Sequence, residues 1–479
     1  MRDYIVLYVN GQKREIHGDA AFLSISDYVR HDLGLMGTKV VCAEGDCGSC
    51  TVLLGRARNG FIEYRSVCSC IQFVFQADGC HVVTVEGLGN SDNLNGVQSA
   101  LVEHQGTQCG FCTPGIVMSI QALLETDSVL SEQRLRQGLV GNLCRCTGYD
   151  PIVRAGMAVN GRRVTRMNEL FNSSAMAEEL ASTAQQSVRV EAAGKTFFKP
   201  AEIDEAVGFR GANPDCVIVS GGTDFGVQVN KGSREIKTVL STAALAELRD
   251  LSVDDVEMVA GANLTIAELE NAAAETLPEY AKLLARFGSP QIKNSATLGG
   301  NIANASPIGD TMPTLFVLNA QVELVGSKGG RHVNINDFYT GYKKTVATAD
   351  ELIRRIVIPR LKSGELLRLF KVSKRSDLDI STFSAAIWLK LSGAVIDDAR
   401  IAYGGVAPVI LRLHRVEEYL RGRRISVETF ARAGEIAASE VTPISDVRSS
   451  ATYRGKLAGN ILSKLYYELD AERKHASIA

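Results

Sequence analysis

The N-terminal part of the chain alternates apolar and polar positions in a way that is typical of β-strands. The stretches "YIVLYVNGQKREI" and "GRARNGFIEYRSV" each place Asn-Gly between two alternating runs, and this pair is a strong signal for a β-hairpin. Between them, the residues from Ser24 to Asp27 predict the start of a helix that stops by Gly34. The pattern therefore predicts a small strand-rich domain with one helix, ending near residue 88.

From about residue 94 the pattern changes to a helical period. Thr113-Pro114 and Asp150-Pro151 each predict an N-cap residue followed by proline at the first helical position. These signals indicate an all-helical second domain that extends to about residue 165. Residues 166–193 are small and polar with weak periodicity, and they predict a connecting segment.

Strands and helices mix over the rest of the chain, with strands predicted near "FSAAIWLKL" and helices after residue 414. The chain has 479 residues, of which 45% are hydrophobic and 22% charged. These values predict a soluble globular protein of roughly three or four domains.

Charge and hydropathy narrow the environment in which we expect the protein to act. The formal net charge of −2 argues against a nucleic-acid partner. No run of about eighteen apolar residues and no signal-peptide pattern is present, so we expect a cytoplasmic protein without a membrane partner. In that reducing compartment, clustered cysteines indicate metal binding or catalysis rather than disulfides.

Ten of the eleven cysteines lie in the first 146 residues, and three of them follow a known cluster spacing. Cys42, Cys47 and Cys50 form C-x4-C-x2-C, the plant-type ferredoxin spacing for a [2Fe–2S] cluster. Glycines in this loop let the backbone approach the cluster closely. The fourth thiolate must come from "VCSCIQ", where the spacing leaves both Cys68 and Cys70 open.

A second set of four cysteines forms two close pairs. Cys109 and Cys112 form C-x2-C at the start of one predicted helix, and Cys144 and Cys146 form C-x-C near the start of another. Helix N-termini stabilise negative charge, so both pairs suit a thiolate-bound metal centre. A structural zinc site is the alternative for either set. Cys80 and Cys216 fit neither pattern, and we expect them to be small buried apolar residues.

Two later stretches are rich in glycine. "CVIVSGGTDFGVQV" and "GSPQIKNSATLGGNIANASPIGDTMP" are loops of a kind that can present backbone N–H groups to a diphosphate. Neither matches a dinucleotide fingerprint or a P-loop, so a nucleotide site and ordinary turns both remain open.

The motifs "CAEGDCGSC", "TVEGL", "QCGFCTPGIVMS" and "GNLCRCTGYDPI" resemble the iron–sulfur half of the xanthine dehydrogenases and the wider molybdenum hydroxylase family. The resemblance implies an α+β multidomain chain with two [2Fe–2S] clusters, and it favours Cys70 over Cys68. The family usually has glycine where this chain has Ala43. The implied domains are a β-grasp ferredoxin-like domain (1–88), a four-helix [2Fe–2S] domain (89–165), a linker (166–193), a non-Rossmann α+β FAD-binding domain (194–364) and an α+β C-terminal flavoprotein domain (365–479).

The same resemblance implies where FAD binds, although it assigns no catalytic residue. Tyr342 matches an aromatic residue beside the isoalloxazine ring. The positions that match flavin contacts are Val219, Ser220, Gly221, Gly222, Thr223, Asp224, Phe225, Gly226, Phe287, Thr297, Leu298, Gly299, Gly300, Asn301, Asp310, Ile353 and Lys371. Without the family, Asp310 and Lys371 would each be expected to be surface charges.

The resemblance also implies a function in two parts. The molybdopterin domain of the family is not found in this sequence, so we expect it on a separate large subunit, in a heterotetramer of two chains of each kind. Electrons from hypoxanthine or xanthine would pass through the clusters to FAD and then to NAD. A related aldehyde oxidase subunit, a stand-alone flavin and iron–sulfur NADH-acceptor reductase, and a zinc-stabilised non-catalytic interaction protein are the alternatives.

Overall fold

The computed structural model describes residues 1–161 and 164–476 and shows a mixed α/β protein with two compact units. The first unit comprises Met1–Ala246 together with Gly288–Ala296, and the second comprises Glu247–Phe287 and the described residues from Thr297 onwards. Within the described residues, no helix combines the length and the apolar character needed to cross a membrane.

The N-terminal part of the first unit is a five-stranded sheet. Its central strand, Cys80–Val83, pairs in parallel with Ile5–Val9 and antiparallel with Thr51–Arg58. The two outer strands are Gln12–Ile16 and Phe61–Cys68. Both predicted hairpins are confirmed, because Asn10-Gly11 and Asn59-Gly60 have the positive φ values that a type I′ turn requires.

The predicted helix between the hairpins is also confirmed. It begins at Ile25 after the N-cap Ser24, whose hydroxyl accepts the Asp27 N–H at 3.0 Å. It continues as a π-helical turn over Tyr28–Asp32 and has ended by Gly34, where φ is +70°. Short 3₁₀ turns complete this part at Gly18–Phe22, Val74–Ala77 and Val85–Gly87.

Four helices follow, as the periodicity predicted, at Gly96–Glu103, Thr113–Leu124, Glu132–Gly138 and Asp150–Ala158. Each predicted N-cap, Thr113 and Asp150, lies one residue after the observed N-cap. Cys112 and Tyr149 are the cap residues, so each proline occupies the second position of its helix rather than the first. The helices share a buried core with the sheet through Leu53, Ile116 and Ile152.

The segment 166–193 contains more regular structure than its composition predicted. It forms the helices Met167–Leu170 and Ser174–Ala184 and the strand Val188–Ala192. Ala177 and Leu180 are buried in the core of the preceding helices, which gives the longer helix an apolar face to pack. The domain boundaries themselves stay a prediction.

A four-stranded sheet completes the first unit. Its strands lie in the order Val188–Ala192, Lys195–Lys199, Thr238–Ser241 and Val217–Val219. The strand Val217–Val219, which precedes the first glycine-rich turn, lies at the edge of the sheet, and Ile218 is exposed. The accompanying helices are Ile203–Ala212, Thr223–Asn230 and the short Pro290–Lys293.

The second unit begins with an antiparallel five-stranded sheet. In spatial order its strands are Leu251–Val253, Glu257–Gly261, Leu352–Pro359, Gln321–Gly326 and Gly329–Asn334. A two-stranded ribbon pairs Tyr339–Gly341 with Lys344–Thr345. The helices are Ile266–Thr276, Pro278–Ala285, Leu298–Ala303, Met312–Val317 and Ile335–Phe338.

The C-terminal part of the second unit packs three helices with a second antiparallel sheet. The strands are Glu365–Val372, Phe383–Ser392, Val395–Gly404 and Leu411–Arg412, and the helices are His414–Leu420, Val427–Glu440 and Ala451–Ala476. Phe383, Phe430 and Leu462 are among the buried residues of this core. The strand predicted at "FSAAIWLKL" and the helices predicted after residue 414 are confirmed.

One buried histidine in the first sheet affects stability. His81 is fully buried; its Nε2 accepts the Gly11 N–H at 2.9 Å, and its Nδ1 lies 2.7 Å from the Tyr64 hydroxyl. Because Nε2 accepts a hydrogen bond, the ring is neutral with its proton on Nδ1. Burial lowers the pKa of His81 to about 3.

We expect the free energy of opening this sheet to fall by about 2 kcal/mol between pH 6.5 and pH 5. Unfolded His81 binds a proton near pH 6.5, whereas the folded ring does not until its pKa of about 3, so stability is complete above pH 6.5 and declines below it. Hydrogen exchange of the sheet amides, corrected for intrinsic rates, measures this slope. His81→Asn should flatten it, and His104→Asn, at an exposed position, should not. If the opening free energy of His81→Asn depended on pH as steeply as that of the unmodified protein, His81 would not be the group responsible.

Candidate iron–sulfur and flavin sites

The thiols of the first predicted set lie in contact with one another. Cys50 Sγ is 3.3 Å from Cys70 Sγ, and the Cys42 thiol hydrogen-bonds to Cys47 and Cys70. Cys70 therefore touches two other members of the set. Cys68 also hydrogen-bonds to Cys50, but its Sγ donates to the Gly45 carbonyl at 3.5 Å. This geometry favours Cys70 as the fourth ligand, and the assignment stays a prediction.

The first set cannot ionise fully by itself. Hydrogen bonds from Cys47 and Cys70 lower the pKa of Cys42, whereas the hydrogen bonds that Cys70 makes to Cys42 and Cys50 raise the pKa of Cys70. The contacts therefore favour a thiolate at Cys42 and a protonated thiol at Cys70. A bound metal centre supplies the positive charge that deprotonates all of its thiol ligands, so this donor set fits an iron–sulfur cluster.

The loop that carries this set has three residues with a left-handed backbone: Ala43 at φ +54°, Gly45 at +83° and Gly48 at +66°. Packing inside the protein also requires two of these glycines, whereas their approach to a cluster stays a prediction. A Cβ on Gly48 would lie 2.1 Å from the Gly141 carbonyl oxygen, and one on Gly45 would lie 2.9 Å from Ile71. Ala43 holds its left-handed conformation at a cost of about 1–2 kcal/mol.

The four thiols of the second set also lie close together, and each contact joins a cysteine of the C-x2-C pair to one of the C-x-C pair. Cys146 Sγ lies 3.5 Å from Cys109 Sγ, and Cys112 hydrogen-bonds to Cys144. Burial, followed by that hydrogen bond, raises the pKa of Cys112 to about 12. Cys109 and Cys146 are exposed, whereas Cys144 is buried. Among the described residues, no three His, Cys, Asp or Glu side chains are already arranged around a single metal ion.

The helix termini expected beside the second set are both present. Cys112 caps the helix Thr113–Leu124, which places that thiol at the positive end of the helix dipole. Tyr149 caps Asp150–Ala158, and its hydroxyl accepts the Cys144 N–H at 3.0 Å. Cys80 and Cys216 are buried, as expected.

Several residues that connect the two sets were not found from the sequence. Leu143 N–H donates to the Cys47 carbonyl at 3.0 Å, and Asn142 Nδ2 donates to the Gly48 carbonyl at 3.1 Å. Asn230 Nδ2 donates to the carbonyls of both Ala43 and Cys70 at 2.8 Å. No local pattern marks an asparagine for such long-range contacts, so sequence spacing carried no signal for them.

The first predicted flavin loop, Val219–Gly226, is a tight turn into a helix. Gly222 has φ +71° and caps Thr223–Asn230, whose first N–H groups have no partner inside the helix. A Cβ on Gly226 would lie 2.1 Å from the Ile71 carbonyl oxygen, and one on Gly221 would lie 1.8 Å from that of Ser295. A Cβ on Gly222 would meet the Gln76 amide rather than open space for a diphosphate.

The second predicted flavin loop lies in the second unit, and its backbone donors are already used. Thr297 caps Leu298–Ala303, and its side chain accepts the Gly300 N–H at 3.1 Å. The N–H groups of Leu298 and Gly299 donate to the carbonyls of Leu264 and Ala262, and that of Asn301 donates to Thr297. The expectation that this loop presents free N–H groups is therefore wrong for these positions. Their side chains remain candidates for contact with FAD.

Asp310 and Lys371 are not the surface charges that their identities alone suggest. Their buried side chains form an ion pair at 2.5 Å, and Ser381 Oγ donates to the other Asp310 oxygen at 2.5 Å. Thr311 Oγ1 donates to Asn301 Oδ1 at 2.6 Å, which brings the second flavin loop close to this pair.

The other predicted flavin residues have varied surroundings. Phe287 and Ile353 are half-buried, and Tyr342 is exposed beside the short two-stranded ribbon. A cleft of about 420 Å³ in the second unit is lined in part by Lys371, Arg286 and other charged residues. The flavin role of each of these residues stays a prediction.

We expect Cys70→Ser to lose about half of the bound iron and one of two paramagnetic signals, because it removes the thiol that touches both Cys42 and Cys50. Cys68→Ser should keep both signals. Iron analysis and electron paramagnetic resonance of the reduced protein measure the result, with Cys80→Ser as the control for loss of a buried thiol outside the set. Loss of the signal in Cys68→Ser and its retention in Cys70→Ser would reverse the assignment.

We expect Asp310→Ala to destabilise the second unit by about 3–5 kcal/mol, because it leaves the Lys371 ammonium buried without its partner. Trp388 is the only tryptophan of the chain and lies in the same unit, so its fluorescence during denaturation reports the change. Glu435→Ala breaks an exposed ion pair and should cost less than about 1 kcal/mol. The double variant Asp310→Leu/Lys371→Met should recover most of the loss; equal losses in Asp310→Ala and Glu435→Ala would contradict the reasoning.

Four domain families match the chain in sequence. They are a 2Fe-2S iron-sulfur cluster binding domain over residues 7–71, a [2Fe-2S] binding domain over 84–157, an FAD binding domain in molybdopterin dehydrogenase over 186–361, and a CO dehydrogenase flavoprotein C-terminal domain over 368–469. These matches support two [2Fe–2S] domains and one FAD-binding domain.

Curated relatives include xanthine dehydrogenases. The xanthine dehydrogenase of Emericella nidulans is 29% identical over a match that covers 98% of this chain and 39% of that protein. Xanthine dehydrogenase 2 of Arabidopsis thaliana is 30% identical over a match that covers 87% of this chain and 36% of that protein. The chain thus spans less than two fifths of these relatives.

Solved structures give a second comparison. Carbon monoxide dehydrogenase of Hydrogenophaga pseudoflava, in a form described as lacking the Mo-pyranopterin moiety of its cofactor, matches with TM-score 0.54 and 25% identity over 56% of this chain and 94% of the other. Quinoline 2-oxidoreductase of Pseudomonas putida 86 matches with TM-score 0.53 and 26% identity over the same shares. The four domain matches in this order, together with these relatives, make the chain similar to the iron–sulfur and FAD electron-transfer portion of the molybdenum hydroxylases.

Proposed function

We propose that the chain is the iron–sulfur and FAD subunit of a two-chain xanthine dehydrogenase. It carries electrons from hypoxanthine or xanthine, oxidised at molybdenum on a partner chain, to NAD. The observation that carries the proposal is the pair of four-thiol sets in one unit, joined by the hydrogen bond from Leu143 N–H to the Cys47 carbonyl at 3.0 Å. The relatives named xanthine dehydrogenase support the choice of substrate class.

The exposure of the thiols supports an order of transfer. Cys109 and Cys146 of the second set are exposed, whereas Cys50 and Cys70 of the first set are buried. The second set is therefore the more exposed of the two, which suits approach by a partner chain, and the first set is the more buried one. Each [2Fe–2S] cluster supplies one-electron transfer, and FAD couples single electrons to hydride transfer to NAD.

The surroundings of the first set support its place next to the flavin. Ile71 follows Cys70, and its carbonyl packs directly against Gly226 of the first flavin loop. Asn230, at the end of the helix that begins in this loop, holds the carbonyls of Ala43 and Cys70. The residues 219–226 therefore hold their backbone at a fixed distance from a thiol ligand, which suits direct electron exchange with a flavin at that loop.

The second unit supplies the remaining predicted contacts with FAD. The buried pair of Asp310 and Lys371 holds the strand Glu365–Val372 against the turn before Met312–Val317, and the Thr311–Asn301 hydrogen bond extends this arrangement to the second flavin loop. These contacts hold the predicted flavin residues of the second unit in a fixed arrangement relative to one another. Tyr342, on the exposed ribbon, is the residue that we assign to the ring of the flavin.

A separate molybdopterin-binding large subunit, in a heterotetramer of two chains of each kind, is part of the proposal. The carbon monoxide dehydrogenase match covers nearly all of its own chain but only 56% of this one, so the present chain joins parts that the matched chain does not contain. That difference favours the xanthine dehydrogenase reading over a carbon monoxide dehydrogenase.

We expect the isolated chain to bind about four iron atoms and one FAD, and to reduce a dye with NADH without oxidising xanthine. Addition of a molybdopterin-containing large subunit should produce xanthine-dependent NAD reduction. Cys144→Ser should lose that coupled reaction while keeping NADH-to-dye transfer, because the second set lies on the molybdenum side of the flavin. A molybdenum-free chain that converts xanthine to urate would overturn the proposal, and a preference for aldehydes would indicate an aldehyde oxidase subunit.

A further inference from the structure

Residues 288–296 belong to the first unit, although the residues on either side of them in sequence belong to the second. Gln291 lies at the centre of this segment and is almost completely buried. Neither its position in the sequence nor the family resemblance assigns it a role. Its amide oxygen has no hydrogen-bond partner within the described residues, so the partners of its NH2 group indicate its purpose.

The partners of Gln291 lie on three separate elements. Its Nε2 is 3.2 Å from Thr51 Oγ1, 3.1 Å from Ser119 Oγ and 3.0 Å from Asn142 Oδ1. Thr51 directly follows the first-set ligand Cys50. Ser119 lies on the helix that Cys112 caps, and Asn142 is two residues before Cys144. One amide therefore contacts elements that carry both thiol sets.

Further hydrogen bonds close this arrangement into a ring. Thr51 Oγ1 donates to the Gly48 carbonyl at 2.6 Å, and Asn142 Nδ2 donates to the same oxygen at 3.1 Å. Ser119 Oγ donates to Asn142 Oδ1 at 2.7 Å. All four polar side chains are buried, so breaking the ring leaves donors or acceptors unpaired at about 1–3 kcal/mol each. Such a network specifies one arrangement of the elements it joins.

Asn294 and Ser295 of the same segment make different contacts. Asn294 Nδ2 donates to the Ser66 carbonyl at 3.0 Å, and Ser295 Oγ accepts from Gln72 Nε2 at 2.6 Å. Both bonds attach the segment to the ferredoxin-like part, next to the first thiol set alone. Gln291 Nε2, in contrast, makes hydrogen bonds to elements that carry both sets.

We propose that Gln291 is a positioning residue that fixes the separation of the two thiol sets, and so of the two [2Fe–2S] clusters. This inference rests on the proposed function, which assigns a cluster to each set. Electron transfer between two centres slows steeply as their separation grows. A side chain that locks the loops of both sets into one geometry therefore protects the rate of the internal step without touching either cluster.

The test uses the magnetic interaction between the reduced clusters, which depends on their separation and not on turnover. The full chain and Gln291→Met, which keeps the length of the side chain but removes its hydrogen bonds, are both reduced with dithionite. Iron content is measured, and low-temperature electron paramagnetic resonance records the splitting. We expect Gln291→Met to keep both clusters and to show a smaller and broader splitting. Asn294→Ala, the matched control on the same segment, should show the parental splitting.

The outcomes separate the inference from the proposed function. Parental splitting in a Gln291→Met protein with both clusters would overturn the inference. If Gln291→Met loses iron, Ser119→Ala decides, because it removes one member of the ring: a shifted splitting supports the positioning role, and an unchanged one rejects it. A parent protein without two cluster signals would instead overturn the proposed function, and the inference with it.

Discussion

The close approach of Gly48 to the turn at Gly141 is the constraint on which the first unit depends. No side chain fits between them, since a Cβ on Gly48 would lie 2.1 Å from the Gly141 carbonyl oxygen. This approach lets the Leu143 N–H reach the Cys47 carbonyl and the Asn142 amide reach Gly48. Each thiol set could form by itself in an isolated domain. Their arrangement as a pair requires two loops to meet with almost no atoms between them.

Local structure was predictable because its causes are local. The Asn-Gly pairs at residues 10 and 59 adopt the positive φ that their hairpins require, and Ser24 caps its helix through a bond to a residue three positions later. The cysteine spacings indicated two sets, since sequence separation limits which thiols can meet. The N-caps of two helices were misplaced by one residue because a proline tolerates the second helical position as well as the first.

The parts that could not be predicted are pairings across long sequence separations. Lys371 meets Asp310 from 61 residues away, and neither residue carries a local signal of burial. In the same way, the glycines at 221 and 226 look like phosphate-binding residues in sequence but pack against the carbonyls of Ser295 and Ile71. A glycine indicates that another group approaches the backbone closely. The sequence alone does not distinguish a ligand from another part of the protein as that group.

The membership of residues 288–296 in the first unit has a consequence for the order of folding during synthesis. A ribosome completes all eight cysteines of the two sets long before this segment leaves the exit tunnel, while the intervening residues 247–287 belong to the other unit. Until then the hydroxyls of Thr51 and Ser119 lack the amide that joins them, and the surface of Gly45 and Ile71 lacks the side chain of Ile292. The nascent chain therefore passes through a stage in which both thiol sets exist but their enclosure is incomplete, so the thiols are more accessible at that stage than in the finished fold.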